Sequence, residues 1–340
     1  MIGKMYKSLN SWFERKQNHW KNLCPGILIC VTVAAAAQLL ASNYGAPQML
    51  FALLLGMAFN FLTEEGRCET GIDFSAKVLL KFGVALLGLR ITIDQVLDLG
   101  LDTVSLLIGG VVLTLLFGIG ASKIMGRRTR FGILTGGAVA ICGASAALAI
   151  AAILPKSEYK ERDTIFTVIA VTTFSTVAMV LYPIITTFLE LDDKTSGIFL
   201  GGTIHDVAQV IGAGYTISNV AGDIAAVTKL FRVAMLVPIV LVLSTFFHSE
   251  NKSTDRAPLP FFIIGFCVLV TINSYDMIPS IAHIFLIDLS RWCLVTAIAA
   301  LGIKTSLKAL MTIGYQPVVV ILMESVFLGV WILGGLYLID

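Results

Sequence analysis

His205 and Asp206 stand side by side in an otherwise apolar stretch, GIFLGGTIHDVAQV (197–210). An ionisable group in such a run is costly to bury and reads first as functional. Histidine changes charge near neutral pH, and an aspartate beside it offers a second proton acceptor. The pair points to proton coupling or substrate contact, against the simpler reading of a His–Asp pair that locks packing. Gln209 follows His205 by four residues, which on a helix puts both on one face. Gly201, Gly202 and Thr203 precede the pair. Further on, Lys229 and Arg232 stand three apart in the apolar run 224–247. A buried arginine needs a partner or an anion, and its planar fork suits sulfate, phosphate and carboxylate. Asp206 is one candidate partner; anion contact, structural pairing and snorkelling to the interface all stay open. Glu324, inside the last apolar run, reads as a structural or scaffold-interface group.

The segment that carries His205 has a double. GILTGGAVAICGAS (132–145) matches it through the G-I-x-x-G-G core, which aligns Gly136 and Gly137 with Gly201 and Gly202. The alignment sets Ala140, Ile141 and Ala144 opposite His205, Asp206 and Gln209, so one segment is neutral where the other titrates. Thr135, Cys142 and Ser145 would offer neutral hydrogen bonds to a substrate, or would only mediate helix packing. The four glycines would let the chain turn and another backbone approach. A second pair, 85–104 and 299–318, aligns Gly88 with Gly302, Arg90 with Lys304, Thr92 with Ser306 and Gly100 with Gly314. Lys77 and Arg291 fall under the same offset and read as anchors of span ends. Gly-interrupted apolar segments repeated in both halves point to a secondary transporter and to its binding site.

The elements that hold these residues must be membrane helices. Of the 340 residues, 57% are hydrophobic and 14% charged, well below a soluble domain's usual share of charge. Apolar runs long enough to cross a bilayer cover 27–43, 46–63, 74–90, 103–122, 164–189, 224–247, 258–277, 285–303 and 317–338. The fold class is all-α polytopic membrane protein, with about nine to eleven segments, inverted repeats and two Gly-Gly segments, 131–154 and 196–218, that are re-entrant or broken. Basic residues fill the loops 122–130 (Lys123, Arg127, Arg128, Arg130) and 155–163 (Lys156, Lys160, Arg162). Both are then cytoplasmic, which requires 131–154 to return to its own side. The acidic loop after residue 189 suits the outside, and 196–218 returns there. Residues 1–25, with Lys4, Lys7, Arg15, Lys16 and Lys21 among Trp12, Phe13 and Trp20, read as a cytoplasmic basic amphipathic segment or a basic tail. Residues 26–340 form the transporter domain.

Two re-entrant tips meeting near the midplane would expose helix N-termini, which favour anions. The expected function is secondary active transport of a small anion by alternating access, with proton coupling at His205 and Asp206. Candidate substrate contacts are Thr135, Gly136, Gly137, Cys142, Ser145, Gly201, Gly202, Thr203, Gln209 and Arg232. A passive anion channel is the milder rival. An intramembrane hydrolase using Ser145 and His205 is another, although G-A-S-A (143–146) lacks the last glycine of a nucleophile elbow. The six cysteines are scattered without C-x-x-C spacing, so neither a metal nor a disulfide framework is expected. No cofactor, enzyme activity or nucleic-acid partner is expected; the partners are the anion, protons and the lipid bilayer, and a homodimer stays open.

LLKFGVALLGLRITIDQV (79–96), GGAVAICGASAALAIAAILP (136–155) and GGTIHDVAQVIGAGY (201–215) resemble the YeiH family of bacterial inner-membrane proteins, described as sulfate exporters. The resemblance spans roughly residues 25–338. It implies a multi-pass inner-membrane protein of the cation–proton antiporter and anion transporter group, with inverted repeats and elevator-like motion. The paired Gly-Gly hairpins also look like those of citrate and glutamate symporters. The order of elements departs from a simple tandem repeat, since the 85–104 motif precedes its hairpin and the 299–318 motif follows its own.

Overall fold

The computed structural model describes residues 2–44, 48–63, 66–155, 157, 159–247, 261–305 and 315–339, with side chains of the first helix from residue 22 onward. Every regular element among them is helical. Six helices are long and apolar enough to cross a membrane: Asn22–Tyr44, Gly100–Ile124, Lys160–Phe188, Asn219–Phe247, Ser280–Lys304 and Val318–Ile339. The chain is an all-α, multi-pass membrane protein.

Three of the nine expected spans have a different form. Residues 46–63 hold an 11-residue helix, Gln48–Ala58, and a 3-10 turn, Asn60–Thr63. At about 1.5 Å per residue that helix is much shorter than a bilayer core. Residues 74–90 divide into a π turn (Ser75–Leu79), a helix (Leu80–Leu87) and a 3-10 turn (Gly88–Arg90). Within 258–277 the helix is Phe261–Ser274. Hydropathy reports composition and is blind to where the backbone ladder is interrupted.

The chain divides into two compact units. The first contains α1 (Ile2–Tyr44), α2 (Gln48–Ala58), α3 (Glu69–Phe74), α4 (Leu80–Leu87) and α15 (Ser280–Lys304). The basic N-terminal segment is therefore continuous with the first span. Close helix approach is made by facing glycines: a Cβ on Gly56 of α2 would stand 3.0 Å from the Cα of Gly302 on α15, and the reverse holds too. Small residues let backbones meet where lipid supplies no hydrophobic drive between helices. Asn60 Nδ2 donates to the Ile303 carbonyl (2.6 Å), Ser290 Oγ donates to Gly83 (2.7 Å), and Lys304 pairs with Asp73.

The second unit contains α5 (Ile93–Leu97), α6 (Gly100–Ile124), α7 (Thr129–Ala140), α8 (Ala144–Ile153), α9 (Lys160–Phe188), α10 (Asp193–Thr203), α11 (Val207–Ile217), α12 (Asn219–Ala234), α13 (Leu236–Phe247), α14 (Phe261–Ser274) and α16 (Tyr315–Ile339). Here α7 runs antiparallel to α6, with Gly132 against Gly118 and Gly136 against Thr114 and Leu115. The chain then folds back. Gly137 of α7 leaves room for Ile150 of α8; a straight helix would hold these residues about 20 Å apart. At the other end Arg127 lies 3.7 Å from Asp163, and Arg128 covers the Tyr159 ring at 4.9 Å. Both ends of segment 131–154 therefore meet.

The second Gly-Gly segment folds back as well, using α12 as its post. Gly197 and Gly201 of α10 face Ala221 and Ala225, so α10 is parallel to α12. Gly214 of α11 faces Gly222 and Ala221, so α11 is antiparallel to it. Both legs reach the level of Ala221. Their outer ends are capped: Asp192 accepts from Thr195 N (2.9 Å) to start α10, and Ser218 accepts from Ala221 N (3.0 Å) to start α12.

Candidate functional site

The turns of the two segments lie after their glycine pairs. Gly136, Gly137, Gly201 and Gly202 are all inside helices, so they allow close approach and do not make the turns. The first turn is Ile141–Cys142–Gly143, and its positive-φ position is taken by Gly143 (φ 63°). The second is Ile204–His205–Asp206, with Ile204 and Asp206 in extended backbone, and Asp206 caps α11 by accepting from Ala208 N at 3.0 Å.

Lys229 and Arg232, one helical turn apart on α12, reach both turns. Lys229 Nζ donates to the carbonyls of Ile141 (2.6 Å) and Ile204 (2.9 Å). Arg232 Nε donates to Ala140 (3.0 Å), Nη1 to Gly201 (3.0 Å) and Ile204 (3.3 Å), and Nη2 to Val139 (2.9 Å) and Ala140 (2.6 Å). Both side chains are fully buried. Their acceptors are the terminal carbonyls of α7 and α10, which carry the negative ends of two helix dipoles. Two cations thus satisfy the open C-termini of both half-helices. Among the described residues neither cation forms an ion pair, and all five N–H groups of Arg232 are occupied by backbone. The expected Asp206 partner is spent on capping α11.

The shared Lys229 contact also fixes the true register of the repeat. Ile141 corresponds to Ile204, and the helices restart at Ala144 and Val207. Cys142 and Gly143, rather than Ala140 and Ile141, therefore correspond to His205 and Asp206. The sequence alignment anchored on the glycines is right before the turn and slips by two residues after it, because α7 runs further past its glycine pair than α10 does.

His205 is buried beside Gly143, where an added Cβ would stand 3.4 Å from the His205 Cβ. Its Nδ1 lies 3.0 Å from the Thr203 carbonyl and its Nε2 lies 2.9 Å from Ser325 Oγ of α16. Gln209 does not share its face, since His205 precedes the cap and the helix begins at Val207. Gln209 instead approaches Thr176 of α9 (3.5 Å), with its Oε1 buried and unpartnered. The neighbouring Ser175 accepts from Asp206 N (3.0 Å).

The remaining candidates scatter around this centre. Thr203 bonds back to Phe199 (2.6 Å), Gly202 faces Ile332, and Cys142 is buried at the first turn. Ser145 is exposed on the first turn of α8, whose N-cap Gly143 offers no side-chain acceptor. No hydrogen bond joins Ser145 to His205 among the described residues. Thr135 lies deeper along α7 and donates to Glu324 Oε1 (2.7 Å). Ser325, Ser175 and Thr176 escaped the sequence reading. Small hydroxyl residues are common in membrane helices, and only the fold brings α16 and α9 to the turns.

The family described as conserved hypothetical protein 698 matches residues 25–321. A UPF0324 membrane protein of Chlorobaculum tepidum is 57% identical over 316 residues, covering 92% of this chain and 88% of that protein. One from Rhizobium meliloti is 51% identical and covers 92% of each. The UPF0324 membrane protein TauZ of Paracoccus denitrificans is 51% identical, covering 93% of this chain and 95% of its own.

Proposed function

This chain belongs to the family of conserved hypothetical protein 698, the UPF0324 membrane proteins, and from that membership and the tied turns we propose that it is a secondary active transporter of a small anion, sulfate or a related sulfonate or oxyanion. The observation that carries the reading is the pair Lys229–Arg232, which binds the ends of two broken helices in a membrane protein. Irregular backbone at membrane depth is tolerated where it is buried or lines a wet cavity, and broken half-helices are the usual walls of transporter sites.

The sign of the substrate follows from charge. With the helix C-termini satisfied, the N-terminus of α8 is the half-helix end without a side-chain cap, and exposed Ser145 lies on its first turn. Lys229 and Arg232 add two formal positive charges nearby against one from Asp206. An anion held by the α8 amides and Ser145 Oγ answers that field. In this reading Arg232 fixes the turns and tunes the field, without touching substrate.

Proton coupling enters at His205. Facing a carbonyl, Nδ1 must donate. Nε2 then either accepts the Ser325 hydroxyl or, when protonated, donates to it. Ser325 Oγ also lies 2.7 Å from the Ile321 carbonyl, so its one hydrogen has a destination in either state. The meeting of both ends of 131–154 supports a re-entrant hairpin, and the basic loops beside it support a cytoplasmic side for that end in a bacterial inner membrane.

The test is transport by the purified protein in liposomes, with radiolabelled sulfate and a small sulfonate as probes. Sulfate is expected to accumulate under an imposed pH gradient and to leak back when a protonophore is added. His205→Ala is expected to keep flux and lose its dependence on the gradient. Flux that ignores the gradient in the wild type would make the protein a channel or uniporter, and no flux of either probe would reject the anion reading.

A further inference from the structure

Glu324 of α16 is completely buried, next in sequence to the Ser325 that holds His205. Its Oε1 lies 2.7 Å from Thr135 Oγ1 of α7, while its Oε2 has no hydrogen-bond partner among the described residues. Space for the carboxyl is supplied by Gly118 of α6, where a Cβ would stand 2.5 Å from Oε1. The helices packed against α16 are α6, α7, α9 and α10. Their charged groups sit towards helix ends: Asp102 and Lys123 on α6, Arg130 on α7, Lys160 to Asp163 on α9, Asp193 and Lys194 on α10. No ion pair to Glu324 occurs among the described residues. His205 is held by Ser325, the next residue in sequence, and no hydrogen bond joins Glu324 to Ser325 among the described residues.

Hydrogen counting then separates two forms. Thr135 Oγ1 lies 2.7 Å from Glu324 Oε1 and 3.1 Å from the Phe131 carbonyl, and it has one hydrogen to give. With a neutral carboxyl, Glu324 Oε1 donates to Thr135 and Thr135 donates to Phe131, and the one unpartnered atom, Oε2, is an uncharged carbonyl oxygen. With a carboxylate, Thr135 turns to Glu324, and a charge with an orphaned oxygen stays buried, which is costly.

We propose that Glu324 is a proton-binding residue, and that gain or loss of its proton switches the bond between the last helix and Thr135 of the first hairpin. The proton comes from and returns to solvent. The proposal rests on the transport reading only for what the proton drives: a second coupling site, beside the one at His205, touching the other hairpin.

Infrared difference spectroscopy of the full-length protein in detergent reads the proton directly, whether or not sulfate moves. Wild type should show a carboxylic-acid carbonyl band that titrates with pH, is absent in Glu324→Gln, and shifts in Thr135→Val. In liposomes, Glu324→Gln should transport sulfate with a weaker response to the pH gradient than wild type. A band unchanged by Glu324→Gln and unmoved by Thr135→Val would overturn the assignment. A band that behaves as expected while Glu324→Gln retains the full wild-type pH response would overturn the coupling. If wild type moves no sulfate, the anion reading fails, and the band still decides whether Glu324 carries the proton.

Discussion

Arg232 shows what one residue can organise when its surroundings are backbone alone. Its planar fork meets four carbonyls on two different half-helices, a pattern that lysine's single ammonium cannot reproduce. Arg232→Lys is expected to lower thermal stability in detergent sharply, because hydrogen bonds to a charged donor contribute about 1.5–3 kcal/mol each and several are lost together. Lys229→Met should do the same to a lesser degree, having two such bonds to lose. Melting followed by a thiol dye would check both, and Arg232→Lys with wild-type stability would remove the clamp from the account. In the sequence, the charge of Arg232 within an apolar run was legible, but its partners were not. A carbonyl carries no letter, so a cation that caps helix ends looks identical to one awaiting an anion. His205 was legible for the same reason, and Ser325 was invisible, being 120 residues away and of a type that membrane helices use everywhere.

Among the elements, the two folded-back segments depend on glycines placed against neighbouring backbone. Gly201 faces the Ala225 carbonyl and Thr228, whereas Gly120 of α6 has open space around it. Gly201→Ala is therefore expected to destabilise by about 1–3 kcal/mol through overpacking, and Gly120→Ala to be neutral or mildly stabilising. The paired thermal measurement separates packing from general intolerance of glycine replacement; equal effects would contradict the close approach. At the outer end of α10, the bond from Thr195 holds the Asp192 carboxyl below its ordinary range. This capping contribution is present above the unfolded carboxylate pKa and is lost as pH falls through the lower folded value. Asp192→Ala should cost about 1 kcal/mol at neutral pH, with the difference from wild type shrinking in acid. The glycine spacing drew attention to both segments, yet the first turn begins at Ile141, well past Gly137, and the second at Ile204, just past Gly202. Composition marks where helices touch, and does not mark where each leg ends.

At the scale of the molecule, membrane class was easier to read from composition than span number. Runs such as 74–90 are apolar throughout but divided among three helical geometries. The convergence of Arg127 with Asp163 makes a topological prediction. In a cysteine-free background, single cysteines at Arg130 and Tyr159 should both resist an impermeant reagent in intact cells, while one at Asp193 should react. Labelling of Tyr159→Cys, with Arg130→Cys and Asp193→Cys both protected, would mean that 131–154 crosses the membrane, because α9 then carries the chain back inside.

The seven hydrogen bonds from Lys229 and Arg232 have a mechanical consequence. A carrier whose two turns served as independent flaps, one opening to each side, would have to break those bonds and expose two buried cations in every cycle. One helix holds both turns, and that helix is also the post along which the second segment is folded. The turns are therefore tied into a single cassette, and on the transport proposal whatever admits solvent from one side and then the other would have to act around that cassette, not within it.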